Sequence, residues 1–155
     1  MGLPQNLHKF LALDAESRRL LLTALVVLPF VTLGLRLAGL RRCQRWLARG
    51  TGGSGARGVT GDEQRRIQRT VQMVRLAARH ALGAPTCLTQ SLVCWWLLRG
   101  QGIDGDLRIG TRKENGQFEA HAWVEYQGLV LNDRCDVQQR FTPFAEAIEP
   151  FGRDQ

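Results

Sequence analysis

The chain has 155 residues, 44% apolar and 23% charged, which excludes a disordered or low-complexity protein and suits one domain with a modest core. Its net charge of +7 sits entirely in residues 1–61, where nine Lys and Arg face only Asp14 and Glu16; residues 62–155 are neutral. The basic residues alternate with aliphatic rather than aromatic stacking side chains, which argues against a nucleic-acid partner. Cys43, Cys87, Cys94 and Cys135 fit no disulfide or zinc spacing, so no metal or cofactor is implied. The apolar run starts after Asp14 and Glu16 and no small-residue cleavage site follows it, so a reduced, cytoplasmic setting with free thiols is expected.

In chain order, Asp14 can cap a first helix running to about Leu28, where Pro29 ends or kinks it. A second helix from about Phe30 to Arg49 places Phe30, Leu33, Leu37, Leu40, Gln44 and Leu47 on one stripe. The uncharged run Leu20–Leu35 is shorter than the ~20 residues of a membrane span. One reading is a helical hairpin that packs on the domain or docks a partner protein. The other is peripheral membrane contact through residues 20–49, with the arginines flanking it. Residues 50–61 carry glycine at half their positions and read as a flexible linker without the Gly-Lys-Ser/Thr ending of a phosphate loop. The expected organisation is a helical extension at 1–49, a linker at 50–61 and a domain at 62–155.

Thr60-Gly-Asp-Glu63 fits a capping box. The helix after it carries Ile67, Val71, Val74, Ala78 and Leu82 on one stripe, with Arg65, Arg66, Arg69, Arg75 and Arg79 as a solvated face. Thr86 can cap another helix from Cys87 to about Arg99, closed by Gly100 and Gly102. Leu107–Arg112 and Gln117–Tyr126 flank a hairpin signal at Glu114-Asn115-Gly116, and a turn at Gln127-Gly128 leads into Leu129–Asn132. Phe141 to Glu149 reads as a weak helix or loop. Helices followed by an antiparallel meander give an α+β layout.

Three residues could form a nucleophilic triad. A cysteine in the first turn of a helix meets the positive end of the helix dipole, which favours thiolate. His121 can take the thiol proton and later give it to a leaving amine, and Asp133 can hold the imidazole in one tautomer. Pairing about the Gln127-Gly128 turn sets His121 opposite residues 133–134. The amides that open the Cys87 helix could bind an oxyanion. The competing readings are ordinary: a buried small Cys87, a satisfied core His121, and an Asp133 that closes a turn. Cys94, beside Trp95 and Trp96, reads as core.

The segments Cys87-Leu-Thr-Gln-Ser-Leu, Gly102-Ile103-Asp104, Arg108-Ile109-Gly110, Phe118 to Glu125 (FEAHAWVE) and Leu131-Asn132-Asp133 resemble the lasso-peptide maturation peptidases. Those proteins belong to the transglutaminase-like, papain-related cysteine protease superfamily. The resemblance covers roughly residues 62–135 and implies a helix carrying the nucleophile packed on an antiparallel sheet. It implies removal of the leader from a ribosomally made precursor peptide, with Cys87 as nucleophile, His121 as base and Asp133 as orienting acid. Because a greasy, arginine-rich segment stands where fused versions carry a leader-recognition domain, the chain resembles the split type. That implies two protein partners, a separate leader-recognition protein and an ATP-dependent macrolactam synthetase. Two alternatives stay open: acyl transfer to an amine by the same triad, and a non-catalytic module that binds a membrane or a partner.

Overall fold

The computed structural model describes residues 12–49, 61–114 and 116–144. Most of the glycine-rich linker, Thr60 of the capping box, Asn115 of the hairpin turn and the expected helix beyond Phe144 lie outside the described residues.

Helix α1, Ala15–Ala38, opens where the Asp14 carboxylate accepts from the Ser17 amide at 3.5 Å. It does not end at Pro29 but runs through it. Proline removes the donor for the Leu25 carbonyl, yet Leu28 and Val31, on either side of it, are fully buried. Burying two such side chains is worth roughly 3–6 kcal/mol, more than one lost helical hydrogen bond. The stop comes at Gly39, whose φ of 75° an L side chain adopts only with strain. Helix α2, Leu40–Ala48, then buries Cys43, Gln44 and Leu47. The expected helix from Phe30 to Arg49 is therefore two pieces. Its apolar stripe is also split: Phe30, Leu33 and Leu37 face solvent, Gln44 and Leu47 are buried, and the core side of α1 is Leu20, Leu21, Ala24, Leu28 and Val31.

Helix α3, Gly61–His80, buries Ile67, Thr70, Val71, Met73, Val74 and Ala77, and helix α4, Cys87–Gly100, buries most of the run from Thr89 to Leu98. Together with α1 and α2 they share one apolar core. Two arginines of the expected solvated face are ties instead. Arg69 pairs with Glu16 on α1, and Arg66 donates to the Gln101 carbonyl just beyond α4.

The sheet comprises β1 (Asp106–Glu114), β2 (Gln117–Tyr126), β3 (Leu129–Val130) and β4 (Thr142–Pro143) in the order β3-β2-β1-β4, antiparallel throughout. Gln127 and Gly128 both adopt positive φ, 49° and 78°, the hairpin geometry that suits the natural strand twist. A short helix, α5 (Val137–Arg140), precedes β4. Thr142–Pro143 thus pairs as a strand where a helix or loop was expected. Phe141 is buried beside Trp123 and Val137, and the Phe144 amide donates to the Ile109 carbonyl at 2.9 Å, which fastens the segment to β1. The two faces of β2 are divided by the pleat: Val124 and Tyr126 join the helical core, and Trp123 packs with Val137 and Phe141. The result is an α+β fold, a helical layer on one face of a small antiparallel sheet.

Candidate active site

Cys87 is the first residue of α4. Thr86 caps the helix: its hydroxyl oxygen accepts from the Thr89 amide at 3.3 Å and its carbonyl from the Gln90 amide at 3.0 Å. Those bonds occupy the third and fourth amides of the helix start. The amides of Cys87 and Leu88 are left as the donors aimed out of the first turn. Cys87 is half-buried and unpaired to any other cysteine; Cys43 and Cys94 are buried and Cys135 is exposed. Burial pushes the Cys94 thiol up to about 12 and raises Cys43 as well, so neither supplies a thiolate near neutrality.

His121 stands in the middle of β2, opposite Gly110 of β1. Its Nε2 hydrogen-bonds Asp133 Oδ2. With Nε2–H committed to the carboxylate, Nδ1 presents its lone pair for proton exchange. Phe141 stacks on the ring at 5.0 Å between centroids and Trp123 lies at 6.4 Å, which restricts imidazole rotation. Both members of the pair are about four-fifths buried, with side-chain exposures of 22% and 19%.

Asp133 reaches His121 by an unexpected route. The pairing of Glu125 with Val130 and Tyr126 with Leu129, if continued, would put residue 134 opposite His121. The ladder stops at Val130, however. Leu131 still donates its amide to the Val124 carbonyl at 2.9 Å, but the reciprocal bond is missing from the ladder. The Val124 amide donates instead to the side-chain Oδ1 of Asn132 at 2.7 Å. Asn132 Nδ2 in turn donates to the Ser91 hydroxyl at 2.8 Å, and Ser91 donates to the carbonyl of Ala122 at 2.8 Å. A side chain thus replaces a backbone acceptor, the chain peels away from β2, and the next residue swings its carboxylate under the imidazole.

The same network joins the helix that begins with Cys87 to the strand that carries His121. Ser91 lies one helical turn after Cys87, on the same side of α4, and it grips the residue next to His121. No hydrogen bond joins the Cys87 sulfur to His121 among the described residues; the acid–base pair is preformed, and the thiol sits on a neighbouring element pinned to it.

Burial alone would raise the Asp133 carboxyl. The hydrogen bond to His121, the Arg134 amide at 2.6 Å, and the charges of His121 and Arg140 outweigh that, and the group lies below its ordinary value. A carboxyl lowered on folding stabilises the native state at pH above its unfolded value and loses that contribution as pH falls through the lowered one. Asp133→Asn should therefore show a shallower loss of thermal stability below about pH 4 than the parent protein. Identical melting-point profiles across that range would show that Asp133 has no such coupling.

Of the residues singled out from the sequence, the structure brings together His121 and Asp133 and sets Cys87 at the start of α4. The sequence reading missed Ser91, Phe141 and the bridging role of Asn132. Ser91 left a faint signal, a small hydroxyl one helical turn after Cys87. Phe141 left none, since its contact with His121 depends on a two-residue strand.

The chain is 28% identical over 85 residues to the microcin J25-processing protein McjB of Escherichia coli, a stretch covering 55% of this chain and 40% of McjB. The chain thus spans about two fifths of that relative's length. No solved structure matches it. The family model of the transglutaminase-like superfamily matches residues 26–146, from the second half of α1 to just past β4. With a helix-borne cysteine, a strand-borne histidine and its aspartate inside that stretch, the chain belongs to the transglutaminase-like superfamily.

Proposed function

We propose that this protein is a cysteine peptidase of lasso-peptide biosynthesis that removes the leader from a ribosomally made precursor. The observation that carries the reading is the His121–Asp133 pair, oriented by ring stacking and joined through Asn132 and Ser91 to the helix that begins with Cys87. The similarity to a microcin-processing protein supports the substrate class.

In the proposed reaction, His121 Nδ1 accepts the Cys87 thiol proton and the sulfur attacks the scissile carbonyl. The oxyanion forms toward the amides of Cys87 and Leu88. Collapse breaks the C–N bond, and the imidazolium returns the proton to the leaving amine. Water then attacks the thioester, giving its proton to His121 and releasing the leader acid and the free thiol. Asp133 keeps Nδ1 facing the thiol and stabilises the imidazolium. The liberated amine is the group a macrolactam synthetase would use. A separate leader-recognition protein would deliver the precursor, and the reaction would take place in the cytoplasm. In this reading residues 1–49 are a helical extension and residues 62–155 the peptidase domain.

The test is incubation with a candidate precursor, with and without the leader-recognition protein, followed by mass spectrometry. Cleavage at one bond, strongly enhanced by the partner, is the expected result. An amine cross-linked to the precursor without hydrolysis would instead identify an acyl transferase. An intact precursor under both conditions would sink the peptidase reading.

A further inference from the structure

We infer that α1 and α2 form a docking face for the surface of an anionic phospholipid bilayer. The inference stands apart from the catalytic reading, because it uses none of the same residues.

The first observation is the outer face of α1. Leu22, Val26, Phe30, Leu33 and Leu37 recur at intervals of four, four, three and four, which keeps them on one side of the helix. They are 49% to 78% exposed. The stripe runs about 22 Å along the helix. From Leu22 onward its exposed neighbours are only Arg36 and Ala38; the two threonines of this stretch, Thr23 and Thr32, are half-buried, and Thr32 donates to the Leu28 carbonyl, which leaves few uncharged hydrogen-bonding groups for a partner. Protein interfaces mix such groups with their apolar contacts, whereas a bilayer surface does not require them.

The second observation is charge. No Asp or Glu occurs from Ser17 through Gly61, while Arg36, Arg41, Arg42, Arg45 and Arg49 cluster at the end of α1 and along α2. Those five arginines make no ion pair with any described residue. Arg42, Arg45 and Arg49 surround Trp46 in a shallow recess, and Trp46 is 66% exposed. Tryptophan and arginine beside an aliphatic stripe are what the headgroup boundary favours: indole and alkyl groups in the outer acyl region, guanidinium on phosphate.

Helix α1 is also long and apolar enough to cross a membrane by length and composition. Its other face, however, carries Leu20, Leu21, Ala24, Leu28 and Val31 into the core shared with α3 and α4, and Glu16 is paired with Arg69. A helix committed to protein along one side lies on the bilayer rather than spanning it.

The test is sedimentation of the full chain with equimolar phosphatidylglycerol–phosphatidylcholine vesicles and with pure phosphatidylcholine vesicles. Binding to the anionic vesicles, weakened by salt, is expected, with little binding to the neutral ones. Replacing Arg42, Arg45 and Arg49 together by Gln should weaken binding about a hundredfold. Phe30→Ser with Leu37→Ser should weaken it by at least about tenfold. Both sets are on exposed positions, so melting temperatures check that folding is unchanged. Cys87→Ala should bind like the parent. Absence of binding, equal binding to both vesicle types, or full binding by either folded variant would overturn the inference. So would protection of the α1 stripe from hydrogen exchange or labelling by a partner protein but not by vesicles, which would assign the face to protein docking.

Discussion

Cys87→Ala is expected to reduce precursor cleavage by at least about three orders of magnitude while leaving the folding transition almost unmoved. The loss is large because the proposed nucleophile has no substitute. Cys94, the nearest thiol along α4, is fully buried with its proton held to about pH 12, and Cys43 is buried behind α1. The stability cost is small because Cys87 is only half-buried and the cap is made by Thr86, whose hydroxyl and carbonyl remain in place. Cys94→Ala is the contrasting control: a small cavity in the core shared by the helices costs about 1 kcal/mol, with kcat retained in the folded fraction. Electrophile labelling resolved by peptide mapping distinguishes Cys87 from the exposed Cys135. Undiminished cleavage by the Cys87→Ala protein would remove the nucleophile from the proposed mechanism.

Asn132→Leu should lower kcat about a hundredfold with KM little changed, and destabilise the fold by about 1–3 kcal/mol. Leucine matches the side-chain volume but neither accepts from the buried Val124 amide nor donates to Ser91. The stability loss comes from those two groups left unsatisfied. The rate loss has a different origin, since the segment that turns out of the ladder at Asn132 also aims Asp133 at His121. Asn132 is therefore a positioning residue rather than a reacting one, and its signature is the split between kcat and KM. Asn132→Asp, which can still accept from Val124, should recover part of the rate. A folded Asn132→Leu protein with full kcat would show that Asp133 is oriented by other contacts.

Much of the local architecture was legible in the residues. Thr86 before Cys87 marks a helix start, and the expected strand Gln117–Tyr126 matches β2 in both of its bounds. The turn at Gln127-Gly128 predicts a pairing centre that places His121 near Asp133, and the two are hydrogen-bonded. The helical hairpin was less legible. Residues Leu20 to Leu37 are apolar on nearly every side, so periodicity offers two stripes and does not say which one the core takes. Packing against α3 and α4 decides that, and the same packing carries the helix through Pro29. The peeling of the chain at Asn132 was hidden for another reason. It depends on a side chain occupying the slot of a main-chain carbonyl, and a four-residue run such as Leu129–Asn132 reads as strand whether or not it does so. Thr142–Pro143 is too short to show a period of two, and its position follows from Phe141 burying its ring.

The hydroxyl of Ser91 bears on how the site is assembled. The imidazole and its carboxylate come from neighbouring stretches of the meander, twelve residues apart, and form as one local unit. The thiol comes from the other layer. The Ser91 oxygen, bonded at 2.8 Å on both sides, ties α4 to β2 beside His121. Sliding the helix by a fraction of a turn would move Cys87 relative to His121 and leave the His121–Asp133 pair intact. The seam between helix and sheet is therefore where the proposed chemistry is most sensitive to a small shift.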